Sequence, residues 1–154
     1  MPRRGVKDEA MPDTATLTFL PPSFQLRMEL PLASFHVSAG FPSPADDYME
    51  GRLDLNEYFI RHPAATFYVR VSGDSMRGAG IFDGDLLIVD RAVACTDGCI
   101  VVARLGDEFT IKRILKKGSR VFLRPENDAF TPIEVTEDTD CEIWGRVVGS
   151  VRRY

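Results

Sequence analysis

Ser75 stands in Val71-Ser72-Gly73-Asp74-Ser75-Met76, and Lys112 stands in Phe109-Thr110-Ile111-Lys112-Arg113-Ile114. A serine hydroxyl attacks usefully only when a base takes its proton, and a lysine is such a base only as the neutral amine. Reaching that state near neutral pH disfavours the ammonium by roughly 3 to 5 kcal/mol, which desolvation in an apolar site supplies. Upstream lies Val37-Ser38-Ala39-Gly40-Phe41-Pro42, a bond between small residues in a stretch that reads as flexible and extended. Gly40 lets a nucleophile approach the carbonyl of Ala39 closely, and Pro42 and Pro44 favour a backbone that a site can grip. The chemistry these residues suggest is a serine peptidase that uses a lysine base and carries its own substrate.

Each half of the pair alone has a plainer reading. A Ser-Gly-Asp-Ser run is most often a turn, and a single strand lysine most often reaches into water. Their combination carries the argument. Ser75 follows a strand and a Gly73 hinge, as a nucleophile on a sharp turn would, and the amides of Ser75 and Asp74 are candidates to face an oxyanion. Thr110 and Ile114 share the Lys112 face at period two, and Arg113 shows charge on the other. A histidine triad has little support, because His62 precedes Pro63 in a loop and His36 lies in the N-terminal arm. Asp83, Asp85 and Asp90 around Gly84 read as turn and strand-end residues, not metal ligands.

The elements that must position the pair follow from periodicity. Residues 1–16 are polar and aperiodic, which predicts a disordered start. Phe24, Leu26, Met28, Leu30 and Leu32 alternate with Gln25, Arg27, Glu29 and Pro31, which predicts an extended arm pairing at an edge or draped over the body or a partner. Ser43-Pro44-Ala45-Asp46-Asp47 reads as a helix start interrupted at Gly51, and Asp54 as the cap of a second short helix ended by His62-Pro63. Strands are predicted at residues 67–71, 86–90, 100–105, 109–115, 121–123 and 143–151, with turns at Asp83-Gly84, Asp97-Gly98, Gly106-Asp107 and Lys117-Gly118. The expected fold is mostly β: a compact multi-stranded domain over residues 40–154, with short helices and a flexible arm over residues 1–39.

Composition bounds the role. The chain has 154 residues and a formal net charge of −4, which argues against a general nucleic-acid or anionic-membrane binder. Cys95, Cys99 and Cys141 are too few and odd in number for a disulfide framework and lack metal-ligand partners, so ordinary thiols in a reducing cytoplasm are expected and no metal or cofactor is. No signal peptide and no stretch of membrane-spanning length is evident.

The segments Gly40-Phe41-Pro42-Ser43-Pro44-Ala45, Gly73-Asp74-Ser75-Met76, Asp83-Gly84-Asp85-Leu86-Leu87-Ile88-Val89-Asp90 and Glu108-Phe109-Thr110-Ile111-Lys112 closely resemble the LexA/UmuD family of self-cleaving serine peptidases. The resemblance runs from about Gly40 to the C-terminus, and the four segments in this order are jointly very specific. It implies that Ser75 matches the nucleophile and Lys112 the general base, with cutting between Ala39 and Gly40. Some members carry cysteine before the cleaved glycine; Ala39 is the small residue used by LexA-like members, and both suit a narrow pocket.

The same resemblance implies a bacterial role in the SOS response to DNA damage. A RecA filament on single-stranded DNA would act as co-protease, and the shortened chain, expected as a homodimer, would join a UmuC-type Y-family polymerase in translesion synthesis. Residues 1–39 hold four basic and four acidic side chains, so their removal leaves the net charge unchanged. Loss of the apolar arm, rather than of charge, would uncover a partner surface. Three alternatives stay open: a LexA-like repressor, for which the first 39 residues offer no helix-turn-helix; a leader peptidase, which needs a membrane anchor; and a non-enzymatic polymerase-accessory module with an idle pair.

Overall fold

Segments that alternate apolar and polar residues, separated by glycine turns, can bury their apolar side chains only by pairing. The computed structural model describes residues 27–33, 39 and 49–154 and shows that pairing. Strands β1 (Leu30–Ala33) and β2 (Met49–Leu53) form a two-stranded sheet, followed by the short helix α1 (Leu55–Phe59). Seven more strands are β3 (Thr66–Arg70), β4 (Leu86–Asp90), β5 (Ile100–Leu105), β6 (Glu108–Lys117), β7 (Arg120–Arg124), β8 (Ile133–Val135) and β9 (Cys141–Val151). They form one sheet in the order β3-β4-β9-β5-β6-β7-β8, with antiparallel neighbours throughout. The fold is mostly β, as the sequence predicts, and the turn glycines Gly84, Gly98, Gly106 and Gly118 all adopt positive φ.

The last strand shapes the sheet. β9 runs between β4 and β5, and its pairing skips Val148 opposite Ile88 and Val89 and skips Trp144 opposite Val102 and Ala103. An extra residue on one side of a ladder bends the strand and increases its twist. The sheet therefore curls, which brings the loop after β3 toward β6 although three strands separate them in the hydrogen-bonded order. β5 is buried on both faces: Val102 joins Val69, Met76, Leu87 and Val89 in one apolar cluster, whereas Val101 and Ala103 join Ile114 and Leu123 in the other.

Some local expectations need correction. The helix start at Ser43 lies outside the described residues, but Met49–Leu53, where that helix was expected to end at Gly51, is strand β2. Met49, Gly51 and Leu53 alternate at period two as well, and the backbone of β1 supplies a partner that local propensity cannot anticipate. β8 was not predicted, since three residues carry too little periodicity. Asp54 caps α1 as expected, accepting from the amides of Asn56 and Glu57. The described part of the arm pairs at an edge, yet Met28 and Leu30 remain 64% and 58% exposed.

Leu123 is fully buried at the centre of the second cluster. Its replacement by alanine removes apolar contacts and leaves a cavity, so Leu123→Ala is expected to cost about 2 to 5 kcal/mol of unfolding free energy. Urea denaturation followed by fluorescence measures it.

Candidate active site

The loop carrying Ser75 is closed at its neck by main-chain bonds, from Val71 N to the Asp85 carbonyl at 2.8 Å and from Gly84 N to the Val71 carbonyl at 2.9 Å. Gly73 takes a φ of 87°, a region that side chains resist, and its amide donates to Asp83 Oδ1 at 2.8 Å. Met76 is buried in the first cluster, and its carbonyl accepts the amides of Ala79 and Ile81, so the residue after the serine anchors the turn. A single 3-10 turn over Arg77–Ala79 follows.

A second clamp comes from residues just after β7. The Glu126 amide donates to the Ser75 carbonyl at 2.8 Å, the Gly78 amide donates to the Glu126 carbonyl at 2.6 Å, and Asn127 Nδ2 donates to the Asp74 carbonyl at 3.0 Å. A Cβ on residue 78 would lie 2.6 Å from the Glu126 carbonyl oxygen, so only glycine permits this approach. The Glu126 carboxylate accepts from Arg124 and Arg113, whose guanidiniums hold its pKa below the usual range. Arg113 neighbours Lys112 on β6, so one carboxylate ties the serine loop to the lysine strand. Neither Glu126 nor Gly78 was anticipated; Pro125-Glu126-Asn127 carries only a turn signal.

Lys112 stands opposite Val101 on β6 and is 8% exposed. Its Nζ lies 3.1 Å from Ser75 Oγ, 2.6 Å from Thr110 Oγ1 and 3.0 Å from the Ile111 carbonyl. Three oxygens suit an ammonium donating to all three. They suit the neutral amine equally: its two N–H bonds serve Thr110 and Ile111, and its lone pair accepts from the Ser75 hydroxyl. Burial lowers the Lys112 pKa, and among the described residues no charged neighbour contributes. Beside the pair lies a cavity of about 240 Å³, walled by Val69, Val71, Met76, Val102, Phe109 and Ile111. Arg70, Ser72, Ser75 and Thr110 line it as well, so the lining mixes apolar and polar groups beside the serine.

Other candidates fall elsewhere. The amides of Asp74 and Ser75 have no acceptor among the described residues. Ala39 is exposed, while Gly40 and His36 lie outside the described residues. His62 is not joined to Ser75; its Nδ1 meets the buried Asp90 at 2.7 Å. Asp83 holds the Gly73 amide and Asp85 pairs with Arg152, so both serve the loop's structure. Cys95, Cys99 and Cys141 are free thiols. Among the described residues no helix is long and apolar enough to cross a membrane.

The Peptidase S24-like family profile matches residues 31–148, from within β1 through the elements that carry Ser75 and Lys112. The chain belongs to the Peptidase S24-like family. Relatives support the assignment over most of its length. Protein MucA of Salmonella typhimurium is 46% identical over 79% of this chain and 84% of its own. Protein ImpA of Shigella flexneri is 52% identical over 64% of this chain and 68% of its own. The LexA repressor of Pseudomonas chlororaphis is 47% identical over 76% of this chain and 58% of its own.

For this Peptidase S24-like chain the pKa direction has a consequence for stability. Lys112 titrates lower folded than unfolded, so the unfolded state binds more protons between the two values and stability rises with pH across that window. Lys112→Met is therefore expected to be more stable than the parent at pH 7, with the difference shrinking as pH approaches the unfolded value of 10.5. Urea titrations at the two pH values read this directly. Gly78→Ala drives a Cβ into the Glu126 carbonyl and is expected to cost about 1 to 3 kcal/mol in the same assay.

Proposed function

We propose that this chain is a self-cleaving serine peptidase whose Ser75–Lys112 dyad cuts its own Ala39–Gly40 bond. The observation that carries the reading is a buried lysine amine, without a carboxylate partner, at 3.1 Å from a serine hydroxyl. Neutral Lys112 takes the Ser75 proton as Oγ attacks the Ala39 carbonyl, and the amides of Ser75 and Asp74 face the developing oxyanion. The Lys112 ammonium then protonates the departing amine of Gly40. A water deprotonated by Lys112 hydrolyses the Ala39 ester and frees Ser75. The products are the arm, residues 1–39, and the peptidase domain, residues 40–154.

The biological reading follows from the family resemblance. The chain acts in the bacterial SOS response: a RecA filament on single-stranded DNA promotes the cut, and the shortened chain, as a homodimer in the cytoplasm, serves as accessory subunit of a UmuC-type translesion polymerase. A tethered bond is present at high local concentration, so an uncut chain stays latent by keeping the bond out of the site or Lys112 protonated. An activator needs only to shift that equilibrium. The identity to the LexA repressor favours a second reading, a repressor peptidase domain, which predicts sequence-specific operator binding in a gel-shift assay. A polymerase-accessory module with an idle dyad predicts partner binding without any cut.

Alkaline incubation of the purified chain separates the cutting readings from the idle module. The rate of appearance of a fragment beginning at Gly40 should rise with pH, because the reactive amine is the deprotonated form. Ser75→Ala and Lys112→Ala should each abolish the fragment, and its persistence in either variant would refute the mechanism. Thr110→Val removes the 2.6 Å partner of Nζ and should slow cutting on the order of tenfold, the equivalent of one ordinary hydrogen bond. Adding activated RecA filaments should accelerate the same cut at neutral pH; N-terminal sequencing of the product reads both site and trigger.

A further inference from the structure

β1 is held by main-chain pairing and charge, with little burial. Leu30, Pro31 and Leu32 stand opposite Leu53, Arg52 and Gly51 of β2. The Met28 amide donates to Asp54 Oδ2 at 2.7 Å. Arg27 reaches Glu57 at 3.1 Å, and Arg52 donates to the Glu29 carbonyl at 2.6 Å. A lone two-stranded sheet is marginally stable in water, and exposed ion pairs contribute little. The covalent connection through residues 34–48 keeps β1 in place by holding its local concentration near the millimolar range. The bond assigned above as the substrate lies within that connection.

Cutting there changes what β2 presents. With the arm in place Asp54 is only 5% exposed; Oδ1 accepts from Asn56 and Glu57, whereas Oδ2 depends on the arm for its Met28 donor. That donor is also the largest contributor to the lowered pKa of Asp54. Once β1 departs, Asp54 Oδ2 and a row of main-chain groups on β2 lose their protein partners together and are uncovered. Leu53 and Leu55 beside them wall an apolar groove of about 450 Å³ whose other wall is Met28, Leu30, Pro31 and Leu32 of the arm itself, so departure of the arm uncovers Leu53 and Leu55. Both core clusters lie between residues 67 and 147, so the body does not need β1 to fold.

Resting on the cleavage reading, we infer that the β2 edge with Asp54 is a strand-docking site, filled by β1 before the cut and by an extended segment of a protein partner after it. The partner strand runs antiparallel to β2 and gives a main-chain N–H to Asp54 Oδ2. It carries a basic residue toward Glu57 and an acidic one, two positions later, toward Arg52, as Arg27 and Glu29 do. Its apolar side chains take the places of Met28, Leu30 and Leu32 against Leu53 and Leu55.

The test uses a fluorescein-labelled peptide of residues 27–33, with anisotropy as readout. A chain expressed to begin at Gly40 should bind it saturably, and the full-length Ser75→Ala chain, whose own β1 fills the edge, at least tenfold more weakly. Asp54→Ala in the shortened chain should weaken binding at least tenfold. Asp54→Asn, which keeps a helix cap, should weaken it less. A peptide carrying Arg27→Glu and Glu29→Arg, tested on the unaltered protein, should lose affinity by a similar factor. Equal binding to both chains, indifference to the reversed charges, or self-association of the shortened chain through β2 in place of peptide binding would overturn the inference. Because the shortened chain is expressed directly, these results do not depend on Ser75 or Lys112. Failure to form the Gly40 fragment would count against the cleavage reading alone.

Discussion

The arrangement depends on keeping the Lys112 amine dry without giving it a counter-ion. A carboxylate beside Nζ would remove most of the cost of burying the cation, but it would raise the pKa and leave the amine protonated, useless as a base. The chain instead surrounds Nζ with neutral oxygens from Thr110, Ile111 and Ser75 and buries the residue to 8% exposure. Strand geometry makes this possible: neighbouring side chains on β6 point to opposite faces, so Arg113 and its partner Glu126 sit one residue away without offering Lys112 a charge. If Lys112 is the base proposed above, some stability is given up for reactivity, as is common where a titratable group is tuned for chemistry.

A dry lysine is useful only if the hydroxyl meets it. Ser75 and Lys112 are 37 residues apart in sequence and reside on parts of the sheet separated by β4, β9 and β5. Two independent devices close that gap. The bulges of β9 at Trp144 and Val148 curl the sheet, and the bonds from Glu126, Gly78 and Asn127 fasten residues 74–78 to the chain leaving β7. Neither device touches the reacting atoms. Both set the 3.1 Å separation, which an error of an ångström would destroy.

Much of this architecture is legible in the sequence because it is local. Period-two alternation marks β3 to β7 and β9, glycine marks the turns between them, and Asp54 announces α1 by cap chemistry. Thr110 and Lys112 share a face for the same reason. What escapes is long-range. Nothing around Pro125 indicates that the Glu126 amide will hold the Ser75 carbonyl, because the contact exists only after β6 and β7 have paired. β2 escapes for a related reason: its conformation is decided by β1, across a connection of 15 residues that no local pattern spans. The displaced histidine alternative shows the converse, since His62 found a structural partner in Asp90.

The pairing of β1 with β2 also bears on why such a site would act once. An enzyme that turns over must release its product and bind fresh substrate from solution, and both steps need a cleft with appreciable affinity for the peptide. A tether removes that need, since local concentration substitutes for affinity. The arm leaves Met28 and Leu30 largely exposed, so under the proposed reading the described part of the substrate chain is not strongly gripped. Weak grip is tolerable before the cut and advantageous after it, because a severed arm with little buried surface dissociates readily. On the proposed reading, the same economy of contacts disfavours peptides from solution and lets the severed arm leave, with Asp54 and the β2 edge open once the tether is gone.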